Sequence, residues 1–175
     1  GRLMLGYNRA IYELIDPGGA PPHALPTAVF TAEAVNWEWT SFTAGPEAVY
    51  AAGFSGNRGT IMRILVDDTG ALPVMTGATE VASLPTGEYP LVIRTYLGTK
   101  MGIGTSLGFR VAEIDAGGGL AYGPLIEADG PVFDMVGRDR FIYYTDSAQG
   151  NSGLVRVDLS TLNPSGRYAY ATDLK

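Results

Sequence analysis

The chain of 175 residues contains no cysteine, so it can form no disulfide bond and use no thiol chemistry. It contains a single histidine, His23, which lies among prolines. One histidine is too few for a His-rich metal site, and no partner of a Ser-His-Asp triad is signalled near it. We therefore expect His23 to have no catalytic or metal-binding role.

Basic residues are few, and they are scattered along the chain. The 12 Lys and Arg residues are outnumbered by 18 Asp and Glu residues, which gives a net charge of −6. Because nucleic-acid binding needs a clustered positive surface, we predict no nucleic-acid partner. No apolar run approaches the roughly 18 residues of a membrane-spanning helix, so we also predict no membrane insertion.

Long uninterrupted segments are scarce too, since the chain holds 24 Gly and 11 Pro residues. The longest stretch without either lies between Pro26 and Gly45, where Val35, Trp37 and Trp39 alternate with polar residues. Alternation with a period of two is typical of a strand. Elsewhere in the chain, no stretch is long enough to predict an amphipathic helix. The sequence therefore predicts an all-β protein.

What the chain does have is a repeat. Residues 45–67 predict a hairpin, with a β-rich run at 45–53, a glycine-rich loop at 54–59 and a second β-rich run at 60–67. Imperfect copies lie at 98–115 and 137–158, and a partial copy opens the chain at 3–16. Each copy ends at an acidic turn residue, and these residues are separated by 51, 48 and 43 positions: Asp16, Asp67, Asp115 and Asp158.

A period of roughly 40–50 residues with about four strands is typical of a β-propeller blade. We predict an arc of roughly three to four four-stranded antiparallel blades that belongs to a larger propeller. Residues 1–175 would form a single propeller segment, a fragment of a longer chain that begins inside a blade, with a long loop across Pro17–Pro26. The predicted blade units are residues 1–30, 35–84, 90–126 and 132–175.

Two acidic segments resemble calcium loops in composition. They are Asp67–Gly70 and Asp115–Gly119, and both lack further spaced oxygen ligands and a closing Glu, so we predict hairpin turns instead. A propeller lactonase would need polar ligands in its central channel, where the predicted innermost strands offer only a small set without evident order. That set is Asn36, Glu38, Arg94 and Asp134. We predict no catalytic, cofactor-binding or metal-binding residue.

Aromatic residues give two further hypotheses. Trp37 and Trp39 could form a platform that stacks on sugars, or they could pack between blades. Tyr50 and Ile142 lie five residues after equivalent glycines, and we predict that both point into the core.

The loops at Phe54–Arg58 and Asp146–Ser152 occupy equivalent places in their repeats, so they should emerge on one face. We select Phe54, Asn57 and Arg58 as partner-facing candidates, because that loop combines an aromatic ring, an amide and a cation. The alternative is that both loops are solvated turns.

Several runs of the chain resemble the propeller region of minor tail proteins of actinobacterial tailed phages. They are NWEWT at 36–40, GPEAVYAAG at 45–53, GTIMRI at 59–64, YGPLI at 122–126, DRF at 139–141, GLVRVDLS at 153–160 and YATDL at 170–174. The resemblance implies a non-catalytic component of the tail tip, structural or host-contacting, in a virion assembled in the host cytoplasm. Its partners would be other tail proteins and a glycan of the host cell envelope. The alternative is a propeller enzyme or small-ligand or glycan binder, such as a lactonase or glycoside hydrolase.

Overall fold

The computed structural model describes residues 3–15, 23–24, 30–31, 36–46, 48–67, 69, 74–128, 130–146, 153–160 and 168–169. Every regular element in these ranges is a β-strand, and the strands form four antiparallel sheets. The prediction of an all-β fold is therefore confirmed. Within the described residues there is no helix that could span a membrane.

The sheets follow one another along the chain. Sheet 1 contains β1 (Leu3–Tyr7), β2 (Ala10–Ile15), β3 (His23–Ala24) and β4 (Phe30–Thr31). Sheet 2 contains β5 (Trp37–Gly45), β6 (Ala48–Ser55), β7 (Arg58–Asp67) and β8 (Val74–Ser83). Sheet 3 contains β9 (Pro90–Tyr96), β10 (Lys100–Thr105), β11 (Gly108–Ile114), β12 (Leu120–Tyr122) and β13 (Ile126–Glu127). Sheet 4 contains β14 (Met135–Arg138), β15 (Phe141–Asp146), β16 (Gly153–Asp158) and β17 (Tyr168–Ala169).

Strand order repeats from sheet to sheet. In sheets 2 and 4 the four strands pair in chain order. In sheet 3 the outermost position is split, because β12 and β13 both pair with β11. Sheet 1 has the same split, since β3 and β4 both pair with β2. Strands β1 and β2 thus correspond to β10 and β11, the second and third strands of sheet 3.

Consecutive sheets pack face to face through three apolar clusters. Ile11 of sheet 1 packs with Ala51 and Ile64 of sheet 2. A larger cluster joins sheets 2 and 3: Ala48, Tyr50, Ala52, Ile61, Ala82, Ile93, Met101, Ile103, Ala112 and Ile114. A third cluster joins sheets 3 and 4: Val92, Phe109, Val111, Val132, Met135, Ile142, Tyr144, Val155, Val157 and Leu159. Because side chains alternate between the faces of a strand, sheets 2 and 3 are apolar on both faces.

The inward positions predicted for Tyr50 and Ile142 are confirmed, since both side chains are 0% exposed. The predicted loop at 54–59 is wrong in extent. Strand β6 continues to Ser55 and β7 starts at Arg58, so the connection is a two-residue turn in which Gly56 adopts a φ of 58°. One glycine in the left-handed region suffices to reverse the chain, and the flanking residues pair as strands.

The first strands of sheets 2 and 3 lie side by side, and they are linked through side-chain hydroxyls. The amide N–H of Ile93 donates to Ser41 Oγ at 3.1 Å, and that of Thr95 donates to Thr43 Oγ1 at 3.1 Å. Thr40 Oγ1 donates to the carbonyl of Pro90 at 2.8 Å. These bonds hold β5 next to β9 without a backbone ladder between them.

Two of the predicted loops fall on residues that the structure leaves undescribed. Most of the loop across Pro17–Pro26 lies in the undescribed ranges 16–22 and 25–29. The loop at Asp146–Ser152 lies in the undescribed range 147–152, except for Asp146, which ends β15.

Candidate functional site

A cleft of about 870 Å³ opens between sheets 1 and 2. Its walls come from three short segments: the end of β1, the turn between β1 and β2, and the start of β5. The described residues that line it are Gly6, Asn8, Arg9, Asn36, Trp37, Glu38 and Trp39. Asn8 opens its turn with a φ of 50°, a left-handed conformation that Asn adopts more readily than most residues.

Each of the two indoles in this cleft packs against a glycine. A Cβ atom on Gly53 would lie 2.6 Å from Trp37 Nε1, and one on Gly6 would lie 2.9 Å from Trp39 Cβ. Both distances are too short for a real contact, so only glycine allows the two rings their positions. The ring centroids are 5.2 Å apart and the ring planes are tilted by 59°. The two rings therefore form a bent aromatic surface.

The two tryptophans differ in their surroundings. Trp39 packs against the apolar cluster between sheets 1 and 2, and its ring centroid lies 6.1 Å from that of Phe42. Trp37 is half-buried and belongs to none of the three clusters. The hypothesis of packing between sheets thus fits Trp39, whereas Trp37 is a wall of the cleft.

The rim of the cleft is polar. Asn8, Arg9, Asn36 and Glu38 are all exposed, and they offer two amides, one guanidinium and one carboxylate. The charges of Arg9 and Glu38 are opposite, and no ion pair joins them in the described part of the chain. Aromatic walls with a few polar groups at the rim are typical of small-ligand sites.

The four polar residues that the sequence offered as possible ligands of a lactonase lie in two different places. Arg94 and Asp134 form an ion pair at 3.5 Å in a groove of about 480 Å³ along β5 and β9. Asn36 and Glu38 lie in the cleft between sheets 1 and 2 instead. In the ranges that the structure describes, no three His, Cys, Asp or Glu side chains cluster as a metal site would require.

Three of the four acidic residues of the repeat act in turns, and the fourth, Asp16, lies outside the described residues. Asp67 Oδ1 accepts the N–H of Thr69 at 3.0 Å, Asp115 Oδ1 accepts that of Gly117 at 2.7 Å, and Asp158 Oδ1 accepts that of Ser160 at 2.9 Å. Each of these three carboxylates thus caps the backbone two residues ahead, which explains why an acid stands at or directly after the end of the third strand in sheets 2, 3 and 4. The Thr69 hydroxyl and N–H lower the pKa of Asp67, and the Ser160 N–H lowers that of Asp158.

The three partner-facing candidates lie at one end of sheet 2, in different environments. Phe54 is in β6 and its ring packs against that of Tyr89 at 5.0 Å between centroids. Arg58 is in β7 and pairs with Glu80 at 2.6 Å, while Asn57 is exposed in the turn. Phe54 and Arg58 therefore have contacts within the chain, and their partner-facing role stays a prediction.

A buried ion pair between sheets 2 and 3 was missed by the sequence reasoning. Glu88, which is 1% exposed, accepts two hydrogen bonds from the guanidinium of Arg110, at 2.9 and 2.7 Å. Arg110 also donates to the carbonyl of Gly123 at 2.8 Å, and its guanidinium lies 5.2 Å from the ring centre of Tyr122. The available signal in the sequence was the position of Arg110 between the apolar residues Phe109 and Val111.

The single histidine, His23, lies in β3, where its backbone pairs with Ile15.

No model of a known protein family matches the chain, and a search of curated proteins finds no match either. The function is accordingly inferred from the geometry of the described residues and from the resemblance of its sequence runs.

Proposed function

We propose that this chain is a non-catalytic β-propeller module of a phage tail tip, with a structural or host-contacting role. Its partners are other tail proteins and a glycan of the host cell envelope, and it acts in a virion assembled in the host cytoplasm. The single observation that carries the proposal is the way in which consecutive sheets stack.

Stacking supports a propeller for two reasons. Sheets 2 and 3 each bury both faces, one against the preceding sheet and one against the following sheet, whereas a two-sheet sandwich buries one face of each sheet. The first strands of sheets 2, 3 and 4 are also neighbours, because β5 contacts β9 and β9 contacts β14. In a propeller the first strand of each blade lies next to the central axis.

A tail module is favoured because one of the runs that resemble phage tail proteins forms the cleft. The run NWEWT at residues 36–40 supplies Asn36, Trp37, Glu38 and Trp39 to its wall. A packed stack of sheets that holds an open cleft is suited to recognition of a partner. A host-contacting role uses that cleft, and a structural role uses the sheet faces.

The groove along β5 and β9 gives less support to an enzymatic role than the cleft gives to a binding role. Arg94 and Asp134 are paired with each other there, and the hydroxyls of Thr40 and Ser41 are bonded to the backbone of β9. A lactonase would need several oxygen ligands that converge on a metal, and a glycosidase would need two carboxylates across a cleft.

The test is to label purified virions with an antibody raised against residues 36–128 and to image them by electron microscopy. We expect label at the distal end of the tail. Particles that carry no label, together with turnover of a lactone or a glycan by the purified chain, would overturn the proposal in favour of an enzyme.

A further inference from the structure

We propose that the cleft between sheets 1 and 2 binds a neutral glycan, with the indole of Trp37 as the surface on which a sugar ring stacks. This inference rests on the proposed function, because it names the ligand class through which a host-contacting module would act. Three observations carry it: the division of roles between the two tryptophans, the glycines beneath them, and the charge of the rim.

Trp37 is placed as a wall and not as core. Its ring stays half-buried outside the three apolar clusters, while the ring of Trp39 packs against the cluster between sheets 1 and 2. An indole face held rigid on one side and open on the other offers a flat apolar surface at low entropic cost. The face of a pyranose that carries C–H groups fits such a surface.

The glycines explain why the ring is held there. Gly53 lies in the middle of β6, where glycine weakens a strand, and its position leaves room for Trp37. Gly6 does the same for Trp39 from β1. Because these two strands belong to different sheets, the shape of the cleft depends on both glycines together.

The charges and hydrogen-bonding groups of the rim indicate which class of sugar the cleft would bind. Among the described lining residues, Arg9 and Glu38 bring one positive and one negative charge, so this part of the lining has no net charge that would favour an anionic ligand. Their side chains and the amides of Asn8 and Asn36 supply donors and acceptors that match hydroxyl groups. A volume of about 870 Å³ leaves room for several sugar rings of an oligosaccharide.

Tryptophan fluorescence tests the proposal directly, because the chain contains only two tryptophans and both line this cleft. The purified chain is titrated with neutral hexasaccharides of glucose, mannose, galactose and N-acetylglucosamine, and with hexagalacturonate as an anionic probe. Calorimetry gives the dissociation constant. The variants are Trp39→Phe, which leaves Trp37 as the sole reporter, Trp37→Ala, and Trp37→Phe, which keeps an aromatic ring.

We expect a neutral hexasaccharide to change the emission of the Trp39→Phe variant. Trp37→Ala should bind it about tenfold more weakly, and Trp37→Phe should lie between. The matched control is Phe133→Ala, which removes an exposed aromatic ring that lines the other groove and should bind as the parent chain does. Near-ultraviolet circular dichroism checks that each variant is folded.

The proposal is overturned by a flat titration with all four neutral hexasaccharides, by equal affinity of folded Trp37→Ala, or by preference for hexagalacturonate. These results are distinguishable from failure of the proposed function. Labelled virions with a flat titration reject only the glycan site. Glycan binding by a chain that is absent from virions rejects only the tail location.

Discussion

The interface between sheets 2 and 3 and the interface between sheets 1 and 2 use similar strands but differ in how they treat polar groups. Between sheets 2 and 3, Glu88 and Arg110 pair, Tyr50 donates to the carbonyl of Gly118 at 3.1 Å, and Tyr122 donates to that of Ser83 at 2.7 Å. Between sheets 1 and 2, the polar side chains of the rim face an open cleft. An interface closes when its buried polar groups find partners inside it.

Removing one member of the buried ion pair should break the closed interface most severely. Arg110→Ala leaves the carboxylate of Glu88 buried without its cation, and we expect the free energy of unfolding to fall by about 3–5 kcal/mol. Urea denaturation measures the loss. The matched control is Arg58→Ala, which breaks the exposed pair with Glu80 and should cost less than about 1 kcal/mol. Equal losses of unfolding free energy in the two variants would contradict the expected difference between the buried and the exposed ion pair.

Truncation of Tyr50 should weaken the same interface almost as much. Its ring is fully buried between sheets 2 and 3, so Tyr50→Ala creates a cavity and should cost roughly 2–5 kcal/mol. Urea denaturation is again the measurement. A loss below roughly 1 kcal/mol would mean that the strand register places another residue in the core.

The open interface can be disturbed from its glycine side. Gly6→Ala puts a Cβ atom 2.9 Å from Trp39 Cβ, which lies close to the backbone and cannot rotate away. We expect a destabilisation of about 1–3 kcal/mol, as for other overpacked sites, together with a shifted tryptophan emission. Gly77→Ala is a control for backbone strain alone, because Gly77 has a φ of 71° and open space around it, so alanine is strained there and the emission should not move. An unchanged emission in Gly6→Ala would show that Trp39 does not rest on this glycine.

The interface between sheets 2 and 3 should also make the stability of the chain depend on alkaline pH, through Tyr50. Burial raises the pKa of Tyr50 above its usual value of 10, against an opposing effect of Arg63. The folded state therefore holds the phenol proton of Tyr50 more tightly than the unfolded state does. The resulting contribution to the free energy of unfolding is complete below pH 10, and it is lost as the pH rises through the pKa of the folded state. We expect the unfolding free energy of the parent chain to fall more steeply above pH 10 than that of Tyr50→Phe, by at most about 1.4 kcal/mol per pH unit. Parallel curves would refute this.

Trp37→Ala should have the smallest effect on stability. The ring lies outside the apolar clusters, and its buried Nε1 has no acceptor among the described residues, so removal also relieves a desolvation cost. We expect a loss of about 1 kcal/mol in urea denaturation. A loss above about 3 kcal/mol would place Trp37 in the core and erase the difference from Trp39.

The order of strands was accessible from the sequence because glycines, β-branched residues and terminal aspartates recur in each unit. Asp67, Asp115 and Asp158 each cap a turn, so the repeat recorded a local interaction that needs no knowledge of the whole fold. The cleft could not be predicted in this way, because it depends on Gly6 and Trp39, which meet only when sheet 1 packs on sheet 2.

The ion pair of Glu88 and Arg110 illustrates the same limit. The two residues are 22 positions apart, and nothing in either local pattern specifies the other as its partner. The loop at 54–59 is predicted too long for a different reason. Three glycines within seven residues predict a long loop, whereas Gly53 and Gly59 are strand residues whose missing side chains leave room for Trp37 and for the chain near Glu88.

The hydroxyl bonds between β5 and β9 also protect a strand edge. On the side of β9 that faces away from β10, the amides of Ile93 and Thr95 are occupied by Ser41 and Thr43. Free edge amides are templates on which a strand of another molecule can add, and many proteins block them with charges or bulges. In this chain two side-chain hydroxyls block the edge amides instead. We therefore expect both amides to exchange slowly with deuterium. We also expect replacement of Ser41 and Thr43 by Ala to open this edge to association between chains.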